Sequence, residues 1–184
     1  MQKIYCEKVK GFKVKVDGCN TIEVYDSRLK PFYVKPTNGK DTFFNLPIGI
    51  YFTDCELIQL KEPVRYNVPK LARFEKNIKE PKKIGLFFGN NPNKCTIDIK
   101  TGNVLLDYKF RNETRPQIEF ILNHERGHYK YFNESMCDLF SVCEMIKKGY
   151  NPSQMVFGIN ACLSDYSKKR KLILHNFVKK ITQI

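Results

Sequence analysis

The sequence predicts an α+β fold: a β-rich segment over residues 1–75, then a domain over 76–184 in which an antiparallel hairpin sheet precedes helices. Three observations predict it. Apolar residues alternate with period two early in the chain, as in FKVKVDG (12–18) and NTIEVYD (20–26). They recur every three to four residues after Thr114. Between the two regimes, residues 61–83 (KEPVRYNVPKLARFEKNIKEPKK) are dense in charge and proline, which reads as a connector. At 184 residues the chain is one domain, or one with a small appendage, and long enough to bury a core without disulfides.

The elements follow in order. After the two alternating runs come PFYVK (31–35) and IGIYFTDCELIQL (48–60), read as strands of a small antiparallel sheet or meander. Asp17-Gly18, Pro31, Pro36 to Gly39 and Leu46-Pro47 punctuate them. Within the connector, Leu71 to Lys76 is expected to make one helical turn. Three strands then fall at Ile84–Gly89, Lys94–Lys100 and Asn103–Phe110, the last two joined by KTGN, whose Gly102 suits a tight hairpin. Pro116 fits the first turn of a helix running to Phe132, with Thr114 as its cap. Its face of Ile118, Ile121, Leu122, Glu125, His128 and Phe132 is apolar except for two residues. Asn133 caps a second helix to Lys148, and Gly149 is placed to stop it. Asn151-Pro152 opens a third helix and Ser164 a fourth, whose stripe is Leu174, Phe177, Val178 and Ile181.

Bulk properties narrow the function classes. No apolar run approaches membrane-spanning length, and the lysine-punctuated start MQKIYCEKVKGFKVKV has no uninterrupted apolar core, so neither a span nor a secretory signal is expected. The expected location is the cytoplasm. Seven cysteines, an odd number without a CxxC pair, read as reduced thiols. A net charge of +13 attracts polyanions, including non-specific contact with DNA. No zinc-finger or RNP signature accompanies it, so a nucleic-acid-binding regulator rests on charge alone.

The chemistry concentrates in FILNHERGHYKYFNESMCDLF (120–140). His124 and His128 are four apart, which on a helix puts both imidazoles on one side and lets them converge on one cation. Zinc accepts imidazole nitrogen and, in a catalytic site, keeps one position for water. Glu125 can lean over that position as general base. In a chain with three histidines this pattern arises by chance with odds on the order of one in three hundred. If the two helices fold back around Asn133, Glu134 comes near His128 and Asp138 near His124. Glu134 then completes the ligand set, and Asp138 accepts a hydrogen bond from the far nitrogen of a ligand histidine. The reverse assignment, Asp138 on the metal and Glu134 outside it, stays open. Gly127 removes bulk where another element can pack closely. Tyr129, Tyr131, Tyr150 and His175 are candidate oxyanion stabilisers without a spacing argument.

HERGH followed by NESMCDLF resembles the HExxH metallopeptidases of gluzincin style, and more closely the minimal zincins of the ImmA/IrrE kind and their phage and mobile-element relatives. MIKKGYNPSQM (145–155) is similar to the stretch after the site in phage-encoded members. The likeness spans roughly Ile84 to Asp165 and leaves out the first ~75 residues. It implies a zincin-like domain, Zn2+ held by His124, His128 and Glu134, Glu125 as base, Asp138 as supporting acid, and a peptide substrate lying along an edge strand, either Lys94–Lys100 or Asn103–Phe110. Two departures stand out: a short gap between His128 and Glu134, and Arg126 where an apolar residue is commoner, which could crowd the cleft or meet a partner. The resemblance implies a phage-encoded peptidase acting in the host cytoplasm or virion. The alternative is a virion structural protein, a neck, tail or portal ring subunit among neighbouring copies, that uses this fold as a scaffold.

Overall fold

The structure is a computed structural model that describes residues 1–14, 20–37, 39–163 and 167–182. The chain is α+β. Seven strands come first: β1 (Gln2–Cys6), β2 (Lys10–Val14), β3 (Thr21–Asp26), β4 (Pro31–Pro36), β5 (Thr42–Leu46), β6 (Gly49–Thr53) and β7 (Leu57–Gln59). β8 (Leu86–Gly89), β9 (Cys95–Ile97) and β10 (Val104–Asp107) follow the connector, and a 3-10 helix (Tyr108–Asn112) leads to α1 (Arg115–Gly127), α2 (Glu134–Lys147), α3 (Pro152–Cys162) and α4 (Lys168–Thr182).

The N-terminal strands form two antiparallel sheets, ordered β1-β6-β3-β4 and β5-β2-β7. The run 48–60, expected as one strand, divides between them. Thr53 Oγ1 accepts the Cys55 N–H at 3.1 Å and turns the chain, so β6 pairs with β1 and β3 while β7 pairs with β2. Two strands were not read from the sequence. β1 is mostly exposed and carries little of the burial alternation that marks a strand, whereas β5 buries Phe44 and Leu46. The Asp17-Gly18 turn, Asn38 and the fourth helix's start at Ser164 lie outside the described residues.

The third sheet is ordered β8-β10-β9. β9 and β10 form the expected antiparallel hairpin, with Gly102 at φ +79° in its turn, while β8 joins β10 in parallel. β10 is therefore central, which leaves β9 as the hairpin strand with a sheet edge.

Local chemistry sets the helix ends. The Thr114 N–H donates to Gln117 Oε1 at 2.7 Å, a capping box that starts α1. α1 stops at Gly127, short of Phe132. Beyond the helix, Phe132 is 70% exposed, its ring capped by the Lys76 ammonium at 3.9 Å, so it does not join the apolar face. Asn133 Oδ1 accepts the N–H groups of Ser135 and Met136 and caps α2, and Gly149 at φ +90° ends it. On α4, Leu174, Val178 and Ile181 are buried and Phe177 partly so, as the stripe predicts.

Residues 61–83 do not form the helical turn expected at Leu71–Lys76. The N–H groups of Glu75 and Lys76 both donate to the Lys130 carbonyl at 2.9 Å, and Tyr131 Oη donates to the Ala72 carbonyl at 2.9 Å. The segment is a strap across the α1–α2 turn, held by groups far away in sequence.

One apolar cluster joins the two ends of the chain. Ile22, Phe32, Phe44 and Tyr51 share it with Phe120, Met145, Met155, Ile159 and Leu174. Buried amides bolt the same boundary: Asn45 N–H donates to Asn151 Oδ1 at 2.7 Å, and Gln154 Nε2 donates to the Phe32 carbonyl at 2.6 Å. The packing is continuous across residue 75. A second cluster, with Val104, Leu106 and Ile121, seats the β8–β10 sheet on α1.

Candidate metal centre

α1 and α2 run back to back, and their close approach is set at Gly127. A Cβ there would stand 2.8 Å from Cys137 Cα, so only glycine lets the last turn of α1 meet the first turn of α2. That contact brings four sequence-predicted residues together. His124, on α1, and His128, its C-cap residue, present rings with centroids 5.2 Å apart and planes at 86°. Glu134, first residue of α2, faces both: Oε2 lies 3.2 Å from His124 Nε2 and Oε1 lies 3.6 Å from His128 Nε2. Glu125 is buried beside them, and ligand atoms of His124, Glu125 and His128 fall within 4.8 Å of one another. This group could hold a metal ion.

The far nitrogens are held by other partners. His124 Nδ1 donates to Asp138 Oδ1 at 2.7 Å, and His128 Nδ1 is 3.5 Å from Cys137 Sγ. Both Nε2 atoms therefore turn toward Glu134. Asp138, with a fully buried side chain, sits behind His124. Glu134 thus faces both imidazoles, whereas Asp138 backs His124.

Electrostatics couples the set. Burial pulls His124 down, but hydrogen bonds to Asp138 and Glu134 outweigh it and carry its pKa up to about 9. The His124 hydrogen bond, opposed by burial, brings Glu134 down to about 2. His128 is lowered by burial and by the His124 charge. Burial opposes ionisation of Asp138, yet hydrogen bonds from His124 and Arg170 hold it below the usual carboxylate range. Burial pushes the Cys137 thiol up to about 12, which keeps it neutral.

Arg170 of α4 is the participant that sequence reasoning missed. Its Nε donates to Asp138 Oδ2 at 2.8 Å and its Nη2 to Oδ1 at 2.9 Å, with Glu134 Oε2 3.4 Å from Nη2. A signal was present. Arg170 stands four residues before Leu174, in line with the buried stripe of α4, where a cation needs a counter-charge.

The other candidates lie elsewhere. Tyr150 is buried in the large core against Phe32, and Tyr129 and Tyr131 donate to the Ile99 and Ala72 carbonyls. Neither Tyr150 nor His175 lines the cleft over the histidines. Arg126 does not crowd it: it pairs with Glu80 and Asn123 in a separate groove.

That cleft holds about 560 Å³ between α1 and β9, lined by Cys95, Thr96 and Ile97 on the strand side and by His124, Glu125 and His128 on the helix side. Of the two strands expected to receive a peptide, β10 is ruled out by its central position, and β9 both forms the edge and faces the site. No helix is long and apolar enough to cross a membrane among the described residues. No family model, curated protein or solved structure matches this chain.

Proposed function

We propose that this chain is a zincin-like metallopeptidase. The observation that carries the reading is the convergence of His124 Nε2 and His128 Nε2 on the Glu134 carboxylate, with Glu125 buried next to them at the floor of a cleft bounded by a strand edge. Two imidazoles and one carboxylate are the donor set that suits Zn2+ in a catalytic site, and the supporting bond from Asp138 fixes the His124 tautomer that leaves Nε2 for the metal. Bound zinc supplies Lewis acidity, polarising a carbonyl and acidifying a water.

The rest falls to the chain's own residues. β9 offers backbone groups to an extended peptide and aligns it along the cleft. Glu125 accepts the proton of the attacking water and returns it to the departing amine. Cys95, Ile97 and Phe110 dry the cleft on the strand side, which strengthens each charge interaction inside it.

One observation favours a different reading. Both ring nitrogens of His124 already meet carboxylates, so the constellation could persist as a metal-free ion-pair network in a scaffold protein. Metal analysis separates the two. Protein purified without chelator is expected to carry about one zinc per chain, lost together in His124→Ala and His128→Ala. Zinc-free protein from zinc-supplemented cells, with a dissociation constant weaker than micromolar, would sink the peptidase reading.

A further inference from the structure

The cleft carries more charge than the proposed hydrolysis uses. Lys76, Lys94 and Arg170 line it together with Glu125, Glu134 and Asp138. Arg170 is spent on Asp138 and Glu134. The two lysines are not spent. Lys76 comes from the strap, half-buried, with Nζ 3.2 Å from the His128 carbonyl and 3.9 Å from the Phe132 ring centroid. Those contacts pin its position without neutralising it, and no carboxylate pairs with it among the described residues. Lys94 stands on the other side, immediately before β9, in the left-handed region at φ +69°. Its backbone is fixed by bonds to the Asn91 carbonyl and from the Asp107 N–H. A lysine held in that conformation costs more than asparagine or glycine would, and it places a cation at the end of the strand edge.

We infer that Lys76 and Lys94 select peptides bearing acidic side chains, which they receive at the two sides of the cleft. This rests on the peptidase reading and names its substrate class. The charges point to a carboxylate partner because the half-buried Lys76 binds a counter-charge more strongly than the same group in water, and the exposed Lys94 adds to the same field. A bound divalent ion would make the cleft more positive still. Nucleic acid is the other polyanion a basic cleft could take. It is disfavoured because β9 offers a strand edge suited to an extended polypeptide.

The test uses full-length Glu125→Gln protein loaded with zinc, immobilised and exposed to a random-sequence peptide pool, half of it C-terminally amidated. Retained peptides are expected to be enriched several-fold in Asp and Glu over the input. Enrichment is expected to fall to near the input in Lys76→Gln/Lys94→Gln and to return in Lys76→Arg/Lys94→Arg. It should be equal in the amidated half; enrichment confined to free carboxyl ends would reassign the lysines to a terminal carboxylate and overturn the side-chain proposal. Retained peptides with input composition, no retention, unchanged enrichment in the double glutamine variant, or displacement by a single-stranded oligonucleotide in place of peptide would also overturn it. Zinc content is measured in parallel. Full zinc occupancy without acidic enrichment defeats this inference alone, whereas absent zinc defeats the peptidase reading beneath it.

Discussion

Glu125 and Arg170 touch the same site and predict opposite phenotypes. Glu125 does not hold Glu134 or Asp138 in place, so Glu125→Gln should keep the fold and the zinc while lowering peptide hydrolysis by about 10²–10⁴-fold, read from metal analysis beside a peptide assay. Arg170→Leu removes a partner from Asp138, whose side chain is fully buried. Breaking such a pair costs about 3–5 kcal/mol, and loosening the Asp138–His124 bond should weaken zinc binding by roughly 10–100-fold. Chemical denaturation and competition with a chelator check the two effects. Protons give a third prediction. In metal-free protein His124 is raised to about 9, so its contribution to stability is full below its ordinary value of 6.5 and is lost as pH rises toward 9. His128 is lowered, so acid destabilises the fold as pH falls below 6.5. Glu134 adds a further acid loss below its ordinary 4.5, on the way to about 2. Metal-free protein should therefore be most stable near pH 6.5, whereas the gain in melting temperature on adding zinc should grow between pH 6.5 and 9 as the His124 proton ceases to compete. A zinc gain that is flat across that range in calorimetry would contradict this.

At the scale of elements, the site depends on how closely two helix ends approach. Gly127 permits it, and the short connection through Asn133 turns α2 back so that Glu134 meets the histidines in its first turn. Gly127→Ala should push α1 from α2 at Cys137. The expected cost is about 1–3 kcal/mol, with zinc affinity falling as well, since the same displacement moves Glu134 from the imidazoles. An alanine variant with unchanged melting temperature and affinity would show that the helices can separate without harm. The strap is the complementary element. Its bonds to Lys130, Tyr131 and His128 hold the turn after α1 from outside, and they place Lys76 in the cleft.

For the whole molecule, the N-terminal sheets and the helical part share one core. Phe32 packs against Tyr51 and Tyr150 and bonds through its carbonyl to Gln154, joining residues from both ends of the chain. Phe32→Ala should cost about 3–5 kcal/mol and lower the melting of both parts together in one transition. Two separated calorimetric transitions would mean that the parts fold independently. The shared core also supports the candidate metal centre indirectly: α3 and α4 pack into it with the N-terminal strands, and α4 delivers Arg170.

What the sequence by itself determined was local. The His124–His128 spacing, the caps at Thr114 and Asn133, the stop at Gly149 and the Gly102 hairpin follow from helix and turn geometry within a few residues, and each is found. Folding α2 back on α1 was also within reach, because a short connection leaves antiparallel neighbours little choice; it put Asp138 beside His124 as expected, and Glu134 near His128 but nearer still to His124. Only the tertiary structure decided the rest. It set Glu134 between the two imidazoles and Asp138 behind His124, brought in Arg170 and Lys76, made β9 an edge, and set Tyr150 apart in the core. Each of those outcomes depends on contacts between segments far apart in the chain, whose energies come from shared burial and long-range hydrogen bonds and leave no periodic mark on the residues that make them.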